Sequence, residues 1–403
     1  MQTEPENQPL SPVSDEPAEV VSQPQHEPIP VLSPRLANAD RILPYLRRID
    51  GERTYSNWGP LVREFEQRLS AHFGVPENCV VSAGSGTAAL VGAVLAVAGR
   101  ATAERPLALL PSFTFTGTAS AIEQCGYEAF LADMDAQTWC LDPGRLMAEL
   151  PPQVLEMIGV AMPVAAFGRA VPQQPWRDFQ RLTGIPVVID GAACFEALSE
   201  NPAAFVGATP VAVSFHATKS LGTGEGGCVV VTDPDIAARA LRALNFGFRG
   251  SRDSTCASIN GKMSEYHAAV GLAELDGWRD KRGDLLAVAA RYREHFEAIG
   301  LGERLVLAPQ ISSSYVIFRC NDERESMSLQ ATFRQAEIDH RFWYGMGLHR
   351  QTYWANSRRG VLTVTDAIAS RLIGLPVAPT LTAFEVERVA VAAATAVASP
   401  QAQ

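Results

Sequence analysis

Lysine is nearly absent from this chain of 403 residues, which contains three lysines against 31 arginines. One of them, Lys219, stands between a hydroxyl-rich turn and a glycine-rich turn, in the stretch from Val213 to Gly227. Arginine cannot replace a lysine that acts as a neutral nucleophile, because its guanidinium group stays protonated. A GC-rich genome also favours arginine, so scarcity alone assigns no role. The pattern indicates that position 219 requires a primary amine, as in imine formation with a carbonyl compound.

Paired cysteines, basic clusters and long apolar runs are also missing. The seven cysteines are an odd number without a C-x-x-C pair, which predicts reduced thiols in a cytoplasmic protein and neither a disulfide framework nor a metal site. A net charge of −10 without a basic run argues against nucleic acid as a partner. The longest apolar stretch, from Ala88 to Gly99, is too short to span a bilayer, so no membrane association is expected.

The first 34 residues differ in composition from the rest of the chain. Residues 1–34 hold eight of the 27 prolines and six acidic residues, and they contain no lysine or arginine. Such a segment buries too little apolar surface to offset the entropy of ordering, which predicts a disordered, acidic, proline-rich tail. For the remainder we expect a large domain over residues 35–280 and a small C-terminal domain over residues 281–398.

Apolar runs typical of strands alternate with helical periodicity through the large domain. Leu61 to Phe73 has apolar residues at helical spacing, and the nearly all-apolar helix from Ala88 should be buried on all sides. The alternation predicts an α/β fold, with a mostly parallel, doubly wound sheet sandwiched by helices. The predicted strands are residues 79–82, 107–110, 129–131, 158–163, 187–189, 211–215 and 228–231. A helix over 284–299, a strand over 315–320 and helices over 327–337 and 383–397 indicate a smaller α+β domain.

Two turns at the predicted sheet edge carry polar groups. The turn Gly84-Ser85-Gly86-Thr87 joins a strand to the buried helix, where backbone N–H groups and the helix N-terminus favour a phosphate. Many strand-to-helix turns have the same residue types without binding one. Asp190 follows a buried strand, which places it at the ligand edge of an open α/β sheet, although it could also cap the following helix.

Lys219 completes this set. Ser214 lies five residues before it and could reach the same phosphate as Thr87. An amine, a phosphate turn and an aspartate that keeps a pyridine nitrogen protonated are the groups that pyridoxal phosphate (PLP) requires. Glycines 222, 224 and 227 spell G-x-G-x-x-G, but a strand and not a helix follows, which excludes a dinucleotide site.

In this order the motifs resemble the large PLP-dependent aminotransferase fold, and more closely its DegT/StrS-type nucleotide-sugar aminotransferases. The resemblance runs from about Arg41 to Val397. The motifs that carry it are Tyr55-Ser56-Asn57-Trp58-Gly59-Pro60 with Phe65-Glu66, Ser85-Gly86-Thr87-Ala88-Ala89-Leu90, Pro111-Ser112-Phe113-Thr114-Phe115, Asp190-Gly191-Ala192-Ala193, Ser214-Phe215-His216-Ala217-Thr218-Lys219, Asn260-Gly261-Lys262-Met263-Ser264-Glu265 and Leu375-Pro376-Val377. The fold that this implies has a mostly parallel sheet of the seven-stranded type.

The resemblance implies a role for particular residues. Lys219 matches the lysine that forms the Schiff base with PLP, and Asp190 matches the partner of the pyridine nitrogen. Phe115 matches the aromatic residue that stacks on the cofactor ring, although phenylalanine is also a common core residue. The matches to the phosphate contacts are Gly86, Thr87 and Ser214.

Asn260 matches a family residue that reaches the phosphate of the neighbouring subunit's cofactor. The resemblance therefore implies a homodimer with shared sites, unless Asn260 only stabilises a turn. Where the family often has glutamine or histidine near the cofactor's 3′-oxygen, this chain has Ala193, followed by Cys194. Arg341 and His349 fall where the family handles substrate.

The implied reaction is PLP-dependent transamination of a nucleoside-diphosphate keto-deoxyhexose, with glutamate as the family's usual amino donor. Family members that act as sugar dehydratases have histidine in place of the lysine, so Lys219 favours transamination. His216 is expected to be a structural neighbour and not a second base. A PLP-dependent sugar dehydratase or eliminase, and a non-catalytic PLP-binding regulator, remain alternatives. The sugar, its keto carbon and the nucleotide are not readable from the sequence.

Overall fold

Strands and helices alternate through the first two thirds of the chain, in a computed structural model that describes residues 27–398. The helices are α1 (Ala39–Glu52), α2 (Pro60–Phe73), α3 (Gly86–Val97), α4 (Thr116–Gln124), α5 (Pro143–Glu149), α6 (Pro152–Met157), α7 (Gln173–Thr183), α8 (Phe195–Glu200), α9 (Pro202–Phe205), α10 (Pro234–Ala243), α11 (Glu265–Asp276), α12 (Trp278–Ala298), α13 (Glu323–Gln335), α14 (Thr363–Ile368) and α15 (Ala383–Ala398). The strands are β1 (Val80–Ala83), β2 (Leu107–Pro111), β3 (Glu128–Ala132), β4 (Ile158–Ala161), β5 (Ile189–Asp190), β6 (Val211–Ser214), β7 (Gly227–Val230), β8 (Leu305–Val306), β9 (Ile317–Arg319), β10 (Arg358–Arg359) and β11 (Leu372–Gly374).

The large sheet has the strand order β1-β7-β6-β5-β4-β2-β3-β10. Its two halves, β1-β7-β6-β5 and β10-β3-β2-β4, join through parallel bridges from Ala161 to Val187 and from Val164 to Asp190. Only β7 runs against its neighbours, β1 and β6. The α/β fold with a mostly parallel sheet is therefore confirmed, and the short exposed strand β10 adds an edge strand that the sequence did not indicate.

Helices cover both faces of this sheet because its strands are apolar on both sides. Alternate strand residues point to opposite faces, so Leu107 and Leu109 of β2 join one buried cluster and Ala108 and Leu110 join another. The first cluster includes residues of α2, α7 and α11, and the second includes residues of α3, α4 and α10. Helix α3 is buried over most of its circumference, as its apolar sequence predicts.

A second, three-stranded antiparallel sheet, β11-β9-β8, packs with α12, α13 and α15 around a separate hydrophobic cluster. We call this sheet, with its helices and connecting loops, the second lobe, and the large sheet with its covering helices the first lobe. Helix α12 begins at Trp278 and runs through residue 280, so the predicted domain boundary falls in its first turn. The division into domains stays a prediction.

The predicted tail, residues 1–34, is too long at its C-terminal end, because residues within it pair with the rest of the chain. Ile29 is buried in the second lobe, where it pairs with Ile338, and Leu32 pairs with Val377. Because both bridges use backbone groups, the residue types around them gave no sign of the pairing. The rest of the predicted tail, up to residue 26, lies outside the described residues. Within residues 27–398, no helix combines the length and the apolar character needed to cross a membrane.

Candidate active site

Lys219 lies in the loop between β6 and β7, where the two lobes meet. Its Nζ atom donates a hydrogen bond to the Oη atom of Tyr315 at 2.8 Å. Tyr315 belongs to the second lobe, two residues before β9, and its side chain is buried. The rings of Phe167 and Trp343 pack edge-on against the tyrosine ring, at centroid distances of 5.7 and 5.2 Å. The amine is therefore held by a hydroxyl group whose own position is fixed by packing.

Asp190 ends β5 at the carboxyl edge of the sheet, as predicted, and is only 5% exposed. One carboxylate oxygen accepts a hydrogen bond from Thr118 Oγ1 at 2.6 Å, and the other accepts one from the Ala192 N–H at 3.1 Å. Burial raises the pKa of the Asp190 carboxyl, against the lowering effects of these hydrogen bonds and of the Lys219 charge. A cationic N–H group placed beside Asp190 would be strongly favoured for the same reason.

The turn before α3 leaves backbone donors free. Ser85 caps the helix, since its Oγ accepts from the Ala88 N–H at 3.1 Å. The N–H groups of Gly86 and Thr87 donate to no group among residues 27–398, as expected for the first turn of a helix. A Cβ at Gly86 would lie 2.8 Å from the Ser214 Cβ, so only glycine lets the turn approach β6. The turn and Ser214 thus form a cradle suited to an anion.

Phe115 precedes α4 and is 62% exposed. Phe115 and Thr87 both lie next to Gly117. A Cβ added at Gly117 would be 3.2 Å from the Phe115 ring and 3.4 Å from the Thr87 hydroxyl oxygen. The aromatic face therefore stands beside the phosphate turn, although it is not buried within one chain.

Asn260 is the predicted site residue that does not join the others. It is exposed, and its Oδ1 accepts a hydrogen bond from Lys262 Nζ at 2.6 Å. The adjacent Gly261 carbonyl accepts from the Gly84 N–H at 2.8 Å, so this loop lies against the outside of the phosphate turn.

Two of the sequence motifs meet at the start of α2. The buried Glu265 carboxylate accepts hydrogen bonds from the N–H groups of Leu61 and Val62, at 2.8 and 3.0 Å. These are orphan donors of the helix N-terminus, and the carboxylate also opposes the positive end of the helix dipole. Glu265 therefore locks the loop around Asn260 onto the first helices of the large domain.

Two histidines have structural contacts. His349 is buried and bonded on both ring nitrogens, to Ser112 Oγ at 2.7 Å and to Asp366 at 3.0 Å. His216 is half exposed, and its Nδ1 contacts the Thr218 hydroxyl at 2.8 Å. These contacts agree with the expectation that His216 is a structural neighbour. His349 has no free nitrogen for a substrate, which argues against the role that the resemblance implied for it.

Arg341 is connected to Tyr315 through one aromatic ring. Its guanidinium group is 5.4 Å from the centroid of the Trp343 ring, and that ring packs on Tyr315. Arg341 is exposed.

Sequence reasoning missed Tyr315 and Thr118. Thr118 lies in the first turn of α4, four residues after Thr114, and the two hydroxyl oxygens are 2.7 Å apart. No local signal distinguishes Tyr315 from a core tyrosine. Ala193 is buried in one hydrophobic cluster with Tyr315, so this part of the site receives a hydroxyl from the second lobe and nothing polar from position 193.

The donor set fits PLP. The cradle offers the free N–H groups of Gly86 and Thr87 and the hydroxyl of Ser214 to a phosphate, and Asp190 offers a buried carboxylate to a ring nitrogen. The Lys219 amine lies within the electrostatic influence of Asp190. These groups would hold the two ends of the cofactor.

Comparison with known proteins agrees with this geometry. The family model of the DegT/DnrJ/EryC1/StrS aminotransferase family matches residues 37–393. Protein Rv3402c of Mycobacterium tuberculosis is 30% identical over 373 residues, which cover 90% of this chain and 89% of the relative. The UDP-2-acetamido-2-deoxy-3-oxo-D-glucuronate aminotransferase of Pseudomonas aeruginosa is 27% identical over 326 residues, 80% of this chain and 87% of the relative.

Among solved structures, DesI in the presence of its TDP-sugar product is similar with a TM-score of 0.79 and 26% identity, over 93% of this chain and 94% of DesI. The family model covers nearly all of the described residues, including every motif quoted from the sequence. The chain therefore belongs to the DegT/DnrJ/EryC1/StrS aminotransferase family, as its motifs predicted, and is an enzyme of the transaminase class.

Proposed function

We propose that the chain catalyses PLP-dependent transamination of a nucleoside-diphosphate keto-deoxyhexose. The observation that carries the proposal is the amine of Lys219, held by Tyr315 at 2.8 Å within the field of the buried Asp190 carboxylate. An amine and a buried anion in one site suit the transfer of an amino group through a carbonyl cofactor.

Each residue has a separate task in the proposed reaction. When bound, PLP supplies an aldehyde that condenses with amines and a ring that withdraws electrons. Gly86, Thr87 and Ser214 hold its phosphate, and Asp190 keeps a proton on its ring nitrogen. Lys219 accepts a proton from the Cα of the amino donor and returns one during the second half of the reaction, as a general base and then a general acid.

The substrate class rests on the relatives. One relative is named for a UDP-linked 3-oxo sugar, and DesI was solved with a TDP-sugar product. A sugar linked to a nucleoside diphosphate is common to both, and the 3-oxo group of the first supports a keto sugar as the substrate. We propose glutamate as the amino donor, in line with the resemblance.

We further propose a homodimer with shared sites. Phe115, Tyr55, Tyr266 and Phe246 are each at least 44% exposed in the single chain. Exposed aromatic residues next to a functional cleft favour a protein interface. In such a dimer Asn260 would reach the partner's cofactor, and light scattering at a mass of two chains is the expected result. We also propose a cytoplasmic location, because all seven cysteines are free thiols and six of them are buried.

Because the chain has only three lysines, chemical labelling of the Schiff-base lysine can be assigned unambiguously. Borohydride reduction of the PLP-loaded protein, followed by peptide mapping, should label Lys219 and leave Lys262 and Lys281 unlabelled. The two other lysines are controls within the same map. Label on either of them, with none on Lys219, would overturn the assignment.

Turnover assays separate the alternatives. The transaminase should exchange amino groups between glutamate and 2-oxoglutarate, and Lys219→Ala should abolish the exchange. Release of ammonia or a keto sugar without a donor would indicate a dehydratase or eliminase. Cofactor binding without exchange would indicate a regulator. A screen of nucleotide keto sugars, read by mass spectrometry for exchange of oxygen for an amine, would identify the sugar and the nucleotide.

A further inference from the structure

A polar cavity of about 360 Å³ opens between the two lobes, away from the cradle and from Lys219. The first lobe contributes residues 136, 137 and 139 and Arg169, and the second lobe contributes residues 302, 303 and 305–310, Arg293 and Arg319. Trp139 is buried in the wall of this cavity, and the guanidinium carbon of Arg169 lies 4.8 Å from the centroid of its ring. Lys219, Asp190 and the phosphate turn do not line the cavity.

Three guanidinium groups in this cavity share one kind of contact. Arg169, Arg293 and Arg319 each donate to a backbone carbonyl oxygen, of Gln137 at 2.5 Å, Ala308 at 3.1 Å and Glu303 at 2.6 Å respectively. Within residues 27–398, no carboxylate lies at ion-pair distance from any of the three. A guanidinium group has five N–H donors, so each keeps donors that are anchored in direction and free to bind.

The charges in the cavity repel one another. Burial lowers the pKa of Arg169, and the nearby charge of Arg319 lowers it further, against the carboxylate of Asp135. Glu297 and Glu303 are the acidic side chains of the lining, and both are exposed. A chain with a net charge of −10 therefore has three arginines without an ion-pair partner among residues 27–398 in the lining of one cavity, and Arg319 repels the charge of Arg169. Binding of an anion would relieve that repulsion.

We propose that this cavity binds a small molecule with a phosphate or diphosphate group, at a site separate from the active site. A phosphate or diphosphate has enough oxygens to accept paired N–H···O contacts from three guanidinium groups, whereas a single carboxylate has only two oxygens. The arginines come from both lobes, so the bound anion links the two lobes. The inference does not depend on the sugar substrate or on the amino donor of the proposed reaction.

A series of packed aromatic rings connects the cavity to Lys219. The Trp139 ring packs on Phe167, and Phe167 packs on Tyr315, with centroids 5.7 Å apart at each step. Tyr315 in turn holds the Lys219 amine. An anion that fixes Arg169 over Trp139 therefore braces the side chains that position the amine.

The test is calorimetric titration of the PLP-loaded full chain with inorganic pyrophosphate at low salt, because PLP then fills the phosphate cradle. We expect binding by the wild type, about tenfold weaker binding by Arg319→Gln and about 100-fold weaker binding by the double variant Arg293→Gln/Arg319→Gln, at roughly one lost charge-assisted contact per tenfold. Arg177→Gln is the control, since Arg177 is exposed on α7, outside the cavity, and should leave binding unchanged.

Melting curves without and with pyrophosphate separate anion binding from a purely structural role. We expect pyrophosphate to raise the melting temperature of the wild type and of Arg177→Gln, and not that of the double variant. Equal binding by the double variant and the wild type, or no wild-type binding at about 1 mM, would overturn the proposal. Loss of stability in the variants without any effect of pyrophosphate on the wild type would also overturn it.

A parallel titration with a nucleoside diphosphate distinguishes the sources of the anion. Tighter binding than pyrophosphate, with the same dependence on Arg293 and Arg319, assigns the cavity to a nucleotide. Equal binding assigns it to the phosphate groups alone. Either result supports the site. Because the proposed substrate also carries a nucleoside diphosphate, nucleotide binding that ignores both substitutions is assigned to the active site, and the absence of any binding that depends on Arg293 and Arg319 contradicts the proposal.

Discussion

The hydrogen bond from Thr118 to Asp190 allows a quantitative test of how the site stabilises a buried, ionised carboxylate. The distance of 2.6 Å is typical of a hydroxyl donating to an ionised oxygen. A bond of this kind contributes about 1.5–3 kcal/mol, and a bond between neutral groups about 0.5–1.5 kcal/mol. Thr118→Val should therefore lower the free energy of unfolding of the cofactor-free protein by about 1.5–3 kcal/mol at alkaline pH.

Asp190→Asn supplies the second arm of a double-mutant cycle. The asparagine amide can donate to Thr118 Oγ1 and its oxygen can accept from the Ala192 N–H, so the shape and the contacts are kept without the charge. In the Asp190→Asn background, Thr118→Val should cost only about 0.5–1.5 kcal/mol. Thr118→Ser, which keeps the hydroxyl, is the matched control.

The pH dependence follows from the raised pKa of Asp190. The folded protein binds this proton more tightly than the unfolded chain, so stability is full below the unfolded pKa and is lost as pH rises through the folded pKa. Asp190→Asn should therefore be more stable than the wild type near pH 8.5, and the difference should close on acidification.

Urea unfolding followed by the fluorescence of the six tryptophans measures the four proteins of the cycle and the Thr118→Ser control. The reasoning predicts that the cost of Thr118→Val depends on the residue at position 190. Equal costs in both backgrounds, within about 0.5 kcal/mol, would show that the hydroxyl does not support a charge and would refute it.

Three further substitutions test other parts of the site. Tyr315→Phe should lower kcat by roughly 10- to 100-fold with a smaller change in KM, since the Lys219 amine loses its partner, and steady-state kinetics measures this. Gly86→Ala should weaken PLP binding at least about tenfold in an absorbance titration, because the new Cβ would lie 2.8 Å from Ser214; unchanged affinity would argue against the cradle. Glu265→Ala should cost about 2–4 kcal/mol in urea unfolding because two N–H groups at the start of α2 lose a charged acceptor, and Glu265→Gln should cost less.

Most of the large domain could be predicted from the sequence because its signals are local. Seven predicted strands agree with β1 to β7 within three residues at either end, since each is a short apolar run bounded by turn residues. Strand β10 is two exposed arginines that pair with β3 at the sheet edge, and no apolar pattern marks such a strand. No sequence pattern marks the pairing of Ile29 with Ile338 either, because it joins backbone segments more than 300 residues apart.

The residues of the site also divide into those that the sequence predicts and those that it does not. Asp190, Ser214 and the turn at Gly86 follow strands at one sheet edge, so their order along the chain predicts their proximity. Tyr315 reaches Lys219 from a lobe whose placement over the large sheet is a tertiary property. The arginines of the cavity between the lobes are far apart in sequence, and nothing in their local surroundings brings them together.

The position of Ile29 has a consequence for how the protein is made. The N–H of Ile29 donates to the Glu337 carbonyl, and the Val31 carbonyl accepts from the Val377 N–H, so a stretch that leaves the ribosome early depends on acceptors and donors translated near the end. At about 5–20 residues per second, that stretch waits for tens of seconds without its partners. A tag fused close to Ile29 is therefore expected to reduce the yield of native protein more than one at the carboxyl end.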